Sequence, residues 1–249
     1  MEVPVHEDET IEFLPGRGLR FIQKKRGYRY CLDAILLASF CRLNEGHRVV
    51  DLGTGNAVIP ILLAARGIRI SIVGVEVQGE LLDLARRNVL INGLEGTVTL
   101  VHRDVRDLGG SLGSSSFDVA ISNPPYRRLK TGRINPDPQK ALARHEILGS
   151  LEDMARAASS LLRTRARFYV VYPASRLADM LSIMRRSDLE PKRIRLVHPS
   201  ASEEAKLVLA EAVKGGRGEL RVLAPLIVHD LEGSSTSQID EIYKTLQES

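Results

Sequence analysis

From residue 47 onward the apolar positions alternate between two periods. Short β-branched runs at 47–52, 70–77, 97–101 and 117–122 predict buried strands. Between them, 57–66 carries a helical run stopped by Gly67. The stretch 80–91 sets Leu81, Leu84, Ala85 and Val89 on one helical face before Asn92-Gly93 ends it. Ser150-Leu151-Glu152-Asp153 has the form of a helix start, and Leu151, Met154, Ala155, Ala158 and Leu162 follow at helical spacing. A strand at 166–172 and a helix at 175–186 come next. Strands at 193–198, 206–213 and 220–228 close the chain, with Gly215-Gly216-Arg217-Gly218 as a turn between the last two. Strands alternating with helices imply an α/β fold with a parallel sheet covered on both faces. The closing strands have no helix between them, which predicts an antiparallel edge.

The first 44 residues read differently. Runs at 10–14 and 19–24 flank Pro15-Gly16-Arg17-Gly18 as in a β-hairpin, and Asp33 stands where it would cap a short apolar helix at 34–41. This predicts an N-terminal extension, 1–44, packed on a main domain of 45–249. The stretch 127–144, with Pro136 and Pro138, has no periodicity and predicts a long loop, a length usually kept for function.

Composition narrows the classes. A chain of 249 residues, 43% hydrophobic and 27% charged, can bury a sizeable core and is not disordered. Its longest apolar run, 57–65, contains Pro60 and falls well short of the ~20 residues a membrane helix needs. The acidic N-terminus lacks an apolar run, so no secretory signal is expected. With Cys31 and Cys41 in apolar surroundings, this predicts reduced thiols in a cytoplasmic protein. The six histidines show no paired ligand spacing, and no metal is expected.

Two motifs carry chemistry. Asp51-Leu52-Gly53-Thr54-Gly55-Asn56-Ala57 lies between a strand and a helix, where Gly53 and Gly55 allow a tight turn and close approach of a ligand. A dinucleotide fingerprint would need glycine at position 58, where Val58 stands, and Asp51 would repel a phosphate. S-adenosylmethionine, which carries a sulfonium and an ammonium but no phosphate, fits better. Glu76 ends the second strand, the usual place for an acid that accepts ribose hydroxyls, and Asp104 follows the third strand, within reach of an adenine edge. The bland alternative is a tight turn with solvated acids. Three acids at the ends of three successive strands favour the nucleoside ligand.

The second motif is Asn123-Pro124-Pro125-Tyr126, directly after the fourth strand. Two prolines fix the backbone and hold the preceding carbonyls in one orientation. An amide oxygen and a fixed carbonyl can accept both hydrogens of a planar amino group, with Tyr126 against the ring that bears it. Such bonds push electron density back onto a poorly nucleophilic nitrogen, and alignment with a methyl donor does the rest. The alternative is a rigid turn with Tyr126 filling a gap. Placement about seventy residues beyond the glycine loop favours catalysis.

Together these motifs resemble the class I S-adenosylmethionine-dependent amino-methyltransferases, and more narrowly the bacterial tRNA1(Val) adenine N(6)-methyltransferase family. Residues 27–38, Ala143-Arg144-His145-Glu146, Glu190-Pro191-Lys192-Arg193 and 205–212 extend the resemblance over nearly the whole chain. It implies a doubly wound, Rossmann-like sheet of seven strands and a target adenine just 3′ of the anticodon of a valine tRNA. It also implies that Asp51, Gly53, Gly55, Asn56, Glu76 and Asp104 hold the cofactor, with Tyr28 and Asp33 in the segment closing over its methionine end. Asn123 and the Pro124 carbonyl would hold the amine, and Tyr126 would stack on the base. One departure is Ser235, where an aromatic is expected before Thr236.

The charge distribution bears on the acceptor. Residues 17–29 hold six bases and no acid, and 127–144 hold six bases against Asp137; together they carry +11 of a chain total of +4, leaving the remainder at −7. Charge runs are commonly just solvated. If both segments rim one mouth, Lys24, Lys25, Arg26, Arg127, Arg128 and Lys130 would track RNA phosphates. With aromatics at 4%, a single ring at Tyr126 fits a base presented from a loop or flipped, not a long stacked strand. The rival readings are the same chemistry on a release-factor glutamine, a DNA adenine or an rRNA guanine, and a non-catalytic RNA-binding module. A nicotinamide oxidoreductase is disfavoured by Val58.

Overall fold

The computed structural model describes residues 3–14, 18–26, 32–108, 110, 112–125 and 149–245. An antiparallel hairpin of β1 (Glu9–Phe13) and β2 (Arg20–Lys24) is followed by α1 (Leu32–Phe40). Next come β3 (Arg48–Leu52), α2 (Val58–Ala64), β4 (Ser71–Glu76), α3 (Gly79–Ile91), β5 (Val98–His102) and β6 (Phe117–Ser122). After residue 148 the chain forms α4 (Leu151–Leu161), β7 (Leu162–Pro173), α5 (Leu177–Arg186), β8 (Leu189–Ser200) and β9 (Leu207–Lys214). It ends with β10 (Arg221–Val222), β11 (Leu226–His229) and α6 (Ser237–Thr245).

The large sheet has nine strands in the order β10-β8-β9-β7-β6-β3-β4-β5, with β11 also beside β8. Only β9 runs against its neighbours. Successive strand residues enter opposite layers. Val49 packs with α1, α2 and α3, and Val50 packs with α4 and α5. Burial on both faces is why these strands read as unbroken apolar runs. The start of α4 is held by the reciprocal cap that its sequence predicts: Asp153 N donates to Ser150 Oγ at 3.2 Å, and Ser150 N donates to Asp153 Oδ2 at 2.9 Å.

The mostly parallel sheet and the hairpin are as expected; the details of the far side are not. The antiparallel strand is not at the edge but between β7 and β8. Val208 to Ala212 are buried there, and Glu211 among them is neutralised by Arg193, its direct register partner on β8, with Nε to Oε2 at 2.8 Å. Strands β3 to β9 make the expected seven, and β10 and β11 widen the sheet to nine. The single strand expected over 220–228 breaks at Ala224-Pro225, because proline has no N–H for a ladder. Helix α6 was not foreseen, although Ile239, Ile242 and Tyr243 have helical spacing. Its entry is fixed by Thr236 Oγ1, which donates to Ile227 O at 2.6 Å. The departure at Ser235 falls in this turn, where His229 and Ser235 form an isolated bridge. Asp33 lies inside the first turn of α1 rather than ahead of it.

The chain runs from β3 through β4 to β5 at one edge, then returns to place β6 on the other side of β3. This reversal opens a crevice at the carboxyl ends of β3 and β6, where ligands of such sheets bind.

The hairpin is fastened to α3. Asn88 acts as a strand surrogate, accepting Ile22 N at 2.6 Å and donating to Ile22 O at 3.1 Å. Arg87 grips both oxygens of Glu9, at 2.6 and 2.8 Å. Burial works against the Glu9 charge, but hydrogen bonds from Arg87, His6 N and Lys24 outweigh it and hold the carboxyl at about 2. Its ordinary value is 4.5, so the stabilisation is complete above that pH and is lost as pH falls toward 2. Glu9→Gln leaves Arg87 paired only with the exposed Asp83, at 3.0 Å, and we expect a loss of roughly 2 kcal/mol at neutral pH. Urea melts at pH 7 and at pH 3 check this: the gap between wild type and variant narrows at the lower pH, and a gap independent of pH would refute the clamp.

Candidate active site

Asp51 and Leu52 stand opposite Ile121 and Ser122 in the β3–β6 register. The next residues, Gly53 and Asn123, therefore leave the sheet side by side. Ser122 Oγ fixes the level by donating to Leu52 O at 2.9 Å. The glycine loop then turns back on β4, with Gly53 N and Thr54 N both donating to Val75 O, at 3.0 and 2.9 Å. Gly53, Gly55 and Ala57 have φ of 75°, 58° and 64°. Glycine takes that conformation freely; Ala57 holds it at a cost of about 1 kcal/mol, strain of the kind kept at functional loops.

Gly53, Gly55, Glu76, Asn123 and Pro125 line one pocket, with apolar walls from Val75, Leu81, Val105 and Met154. Glu76 is almost fully buried. It accepts Gly55 N at 2.8 Å, Val77 N at 3.0 Å and Gln78 N at 2.9 Å. Burial nevertheless raises its pKa, the backbone bonds only moderating the effect. Asp51 lies beneath the loop, 1% exposed, and accepts Thr54 Oγ1 at 2.6 Å. Burial pushes it up to about 7, against the Thr54 bond, and the nearby Glu76 charge adds to the rise. Its other oxygen, and both polar atoms of the buried Asn56 amide, have no hydrogen-bond partner among the described residues.

Not every expected residue reaches the pocket. Asp51 and Asn56 sit under it, and Asp104 is turned away. The Asp104 carboxylate caps the short turn Val105–Asp107 by accepting Arg106 N at 2.9 Å, and it pairs with the Arg106 guanidinium. Lys24 is committed to Asp8 at 2.9 Å and Glu9 at 3.2 Å, and Lys25 Nζ to Glu7 O at 2.7 Å, whereas Arg26 is exposed. This basic segment nonetheless adjoins the pocket, since Lys24 shares a groove with Gly79 and Glu80, next to the wall residue Gln78. Asp33 is half-buried in α1. Tyr28, Tyr126, Arg127, Arg128 and Lys130 lie outside the described residues.

Sequence reasoning missed Gln78, Arg103, Gly149 and Met154 in the pocket wall. Gln78 stands two residues past the end of β4 and Arg103 directly after β5, so the rule that singled out Glu76 and Asp104 could have found them. Met154 carried a signal for the core only. Its methyl group lies 3.4 Å from where a side chain at Gly53 would begin and 3.0 Å from the same point at Gly149, so it fills the space both glycines leave. Among the described residues, no group of three or more His, Cys, Asp or Glu could hold a metal, and no helix is long and apolar enough to cross a membrane.

The donor set fits a nucleoside cation. Acids outnumber bases around the glycine loop, a carboxylate stands at the end of β4, and the walls suit a flat apolar ring. Comparison with known proteins agrees. The family model of the methyltransferase small domain matches residues 33–176. A Porphyromonas gingivalis relative named tRNA1(Val) (adenine(37)-N6)-methyltransferase is 30% identical over 185 residues, 72% of each chain. One of the same name from Aeromonas salmonicida is 30% identical over 206 residues, 81% of this chain and 83% of its own. A solved structure from Agrobacterium tumefaciens, described as a predicted O-methyltransferase, superposes with a TM-score of 0.70 at 25% identity, covering 86% of this chain and 96% of that one. A family match over more than half of its length, laid across the pocket-bearing strands, makes this chain a member of the methyltransferase small domain family.

Proposed function

We propose that the protein transfers a methyl group from S-adenosylmethionine to N6 of the adenine beside the anticodon of a valine tRNA, in the cytoplasm. The observation that carries this is the level pairing of β3 and β6, which sets Asn123 beside the glycine loop in one pocket. The curated relatives, each named for adenine 37 of tRNA1(Val), support the acceptor.

When bound, the cofactor supplies an electrophilic methyl on a sulfonium. The chain's residues do the rest. Gly53 and Gly55 admit the ligand against the backbone. Glu76, with three backbone donors fixing it, keeps lone pairs for ribose hydroxyls. Asp51 provides a negative potential beneath the loop. Asp104 serves the adenine edge only after exchanging Arg106 for it. Asn123 Oδ1 and the Pro124 carbonyl accept the two amine hydrogens, and Tyr126 lies against the base. Tyr28 and Asp33 belong to the segment over the methionine end. Arg26, with Arg127, Arg128 and Lys130, would pair with the phosphates, and Lys24 and Lys25 would join them only on leaving Asp8, Glu9 and the Glu7 carbonyl. In this reading residues 1–44 are an extension of the catalytic unit 45–249, although the family match already begins within α1.

The deciding experiment offers labelled cofactor to unmodified tRNA, rRNA, DNA and release factor, with nucleoside digestion of the product. Label in N6-methyladenosine of valine tRNA is expected; label in another acceptor displaces the reading. Asn123→Ala should abolish transfer with cofactor affinity little changed, and unchanged turnover would sink its role. Arg127→Gln with Arg128→Gln should weaken RNA binding and lower its salt slope by roughly one per charge. Equal binding at every salt concentration counts against the basic rim. A cation above Asp51 favours its ionised form, so cofactor affinity should weaken by up to about tenfold per pH unit below 7. Titration calorimetry at pH 6, 7 and 8 reads this, and Asp51→Asn should flatten the dependence.

A further inference from the structure

A second cleft lies on the face of the sheet covered by α1 and α6, with none of the cofactor-pocket residues in its walls. It is bounded by the end of α1, β8 and α6 and encloses about 640 Å³. That is within the range of small-ligand sites, about 300–1,000 Å³. Arg42, Arg66, Arg193 and Arg195 line it, against a single lining carboxylate, Glu241.

Two of these arginines have structural employment. Arg66 Nη1 caps the end of α1, donating to Cys41 O at 2.8 Å and Ala38 O at 3.4 Å. Arg193 is neutralised by Glu211 at 2.6 Å and lies over the Phe40 ring at 4.6 Å. The other two form no ion pair among the described residues, and the side chain of only one of them is held by the backbone. Arg195 Nε donates to Ala224 O at 3.1 Å, and among the described residues it has no carboxylate partner. Burial holds its pKa below the ordinary arginine value. Arg42 is exposed; its backbone N donates to Tyr169 Oη at 3.2 Å, and its side chain makes no hydrogen bond or ion pair with any described residue. Beside them, Gln238 uses its amide oxygen on Ile227 N at 3.3 Å, leaving its NH2 group as a donor.

A guanidinium drawn partly out of water without a counter-ion is unfavourable, and an anion relieves it. The planar fork of arginine matches phosphate oxygens two at a time. We propose that this cleft binds a phosphate group, belonging either to a free polyphosphate or nucleotide or to the RNA backbone, with Arg195 and Arg42 as its principal donors. The methyl donor of the proposed reaction carries no phosphate, so occupancy of the two sites is separable.

The test uses inorganic pyrophosphate on the full chain at constant ionic strength, read by thermal melting and titration calorimetry. The wild type should bind it and melt higher. Arg42→Gln with Arg195→Gln should melt like the wild type without ligand and bind pyrophosphate at least about tenfold more weakly. Arg86→Gln with Arg185→Gln, an equal loss of charge at exposed positions elsewhere, should bind as the wild type does. Transfer to tRNA then separates the sources. A severalfold rise in KM at unchanged kcat in the double variant assigns the cleft to the RNA backbone, and an unchanged KM assigns it to a free phosphate compound. Absence of pyrophosphate binding by the wild type, or equal binding by the double variant, overturns the proposal. Failure of transfer in the wild type overturns the proposed reaction and leaves the pyrophosphate result standing.

Discussion

The parallel pairing of β3 with β6 governs the rest of the structure. It sets Leu52 level with Ser122, and a hydroxyl-to-carbonyl bond holds that level at 2.9 Å. Side chains in a strand change face at every residue, so a slip of one position would turn Asn123 away from the glycine loop and drive Val49 and Val119 out of their layer. The apolar layers above and below penalise such a slip. The core of the sheet thus sets the geometry of the site, although few core residues touch the pocket.

Four of the buried carboxylates fall into two groups, and a fifth, Asp118, pairs with Arg163. Glu9 and Glu211 each meet an arginine fork, and both join pieces of the fold: Glu9 fastens the hairpin to α3, and Glu211 lets an antiparallel strand lie inside the sheet. Asp51 and Glu76 meet only hydroxyl and backbone donors, and burial moves their pKa values upward, whereas that of Glu9 is held down. An acid without a basic partner, under a loop of positive φ, leaves its charge to be satisfied by something that arrives. In the proposed function, that difference in partner separates the acids that hold the fold from those that face the ligand, a division burial alone would not make.

Much of this was legible in the chain, for identifiable reasons. β-branched runs and caps such as Ser150 and Asp153 are local signals, and they placed β3 to β6 and α4 closely. The pairing of Gly53 with Asn123 could be anticipated because successive strands of such a sheet end at one edge. What escaped depended on which charged partner each residue meets, most of them distant in the chain. The interior place of β9 follows from Arg193 meeting Glu211, 18 residues apart in the chain. The commitment of Lys24 follows from Asp8 and Glu9 across the hairpin. Asp104 stands at the expected strand end, yet its near neighbour Arg106 takes it. A count of charges along the chain sees ions, not the pairs they form.

Every described residue in the wall of the cofactor pocket falls between Gly53 and Met154. Among the described residues, none beyond Met154 lines the pocket, and the later strands and helices serve the packing of the sheet. If that pocket takes the cofactor as proposed, substitutions in the last third of the chain are constrained by the sheet's layers more than by the cofactor. Such a division lets a lineage revise what its far side recognises while the chemistry at the crevice stays fixed.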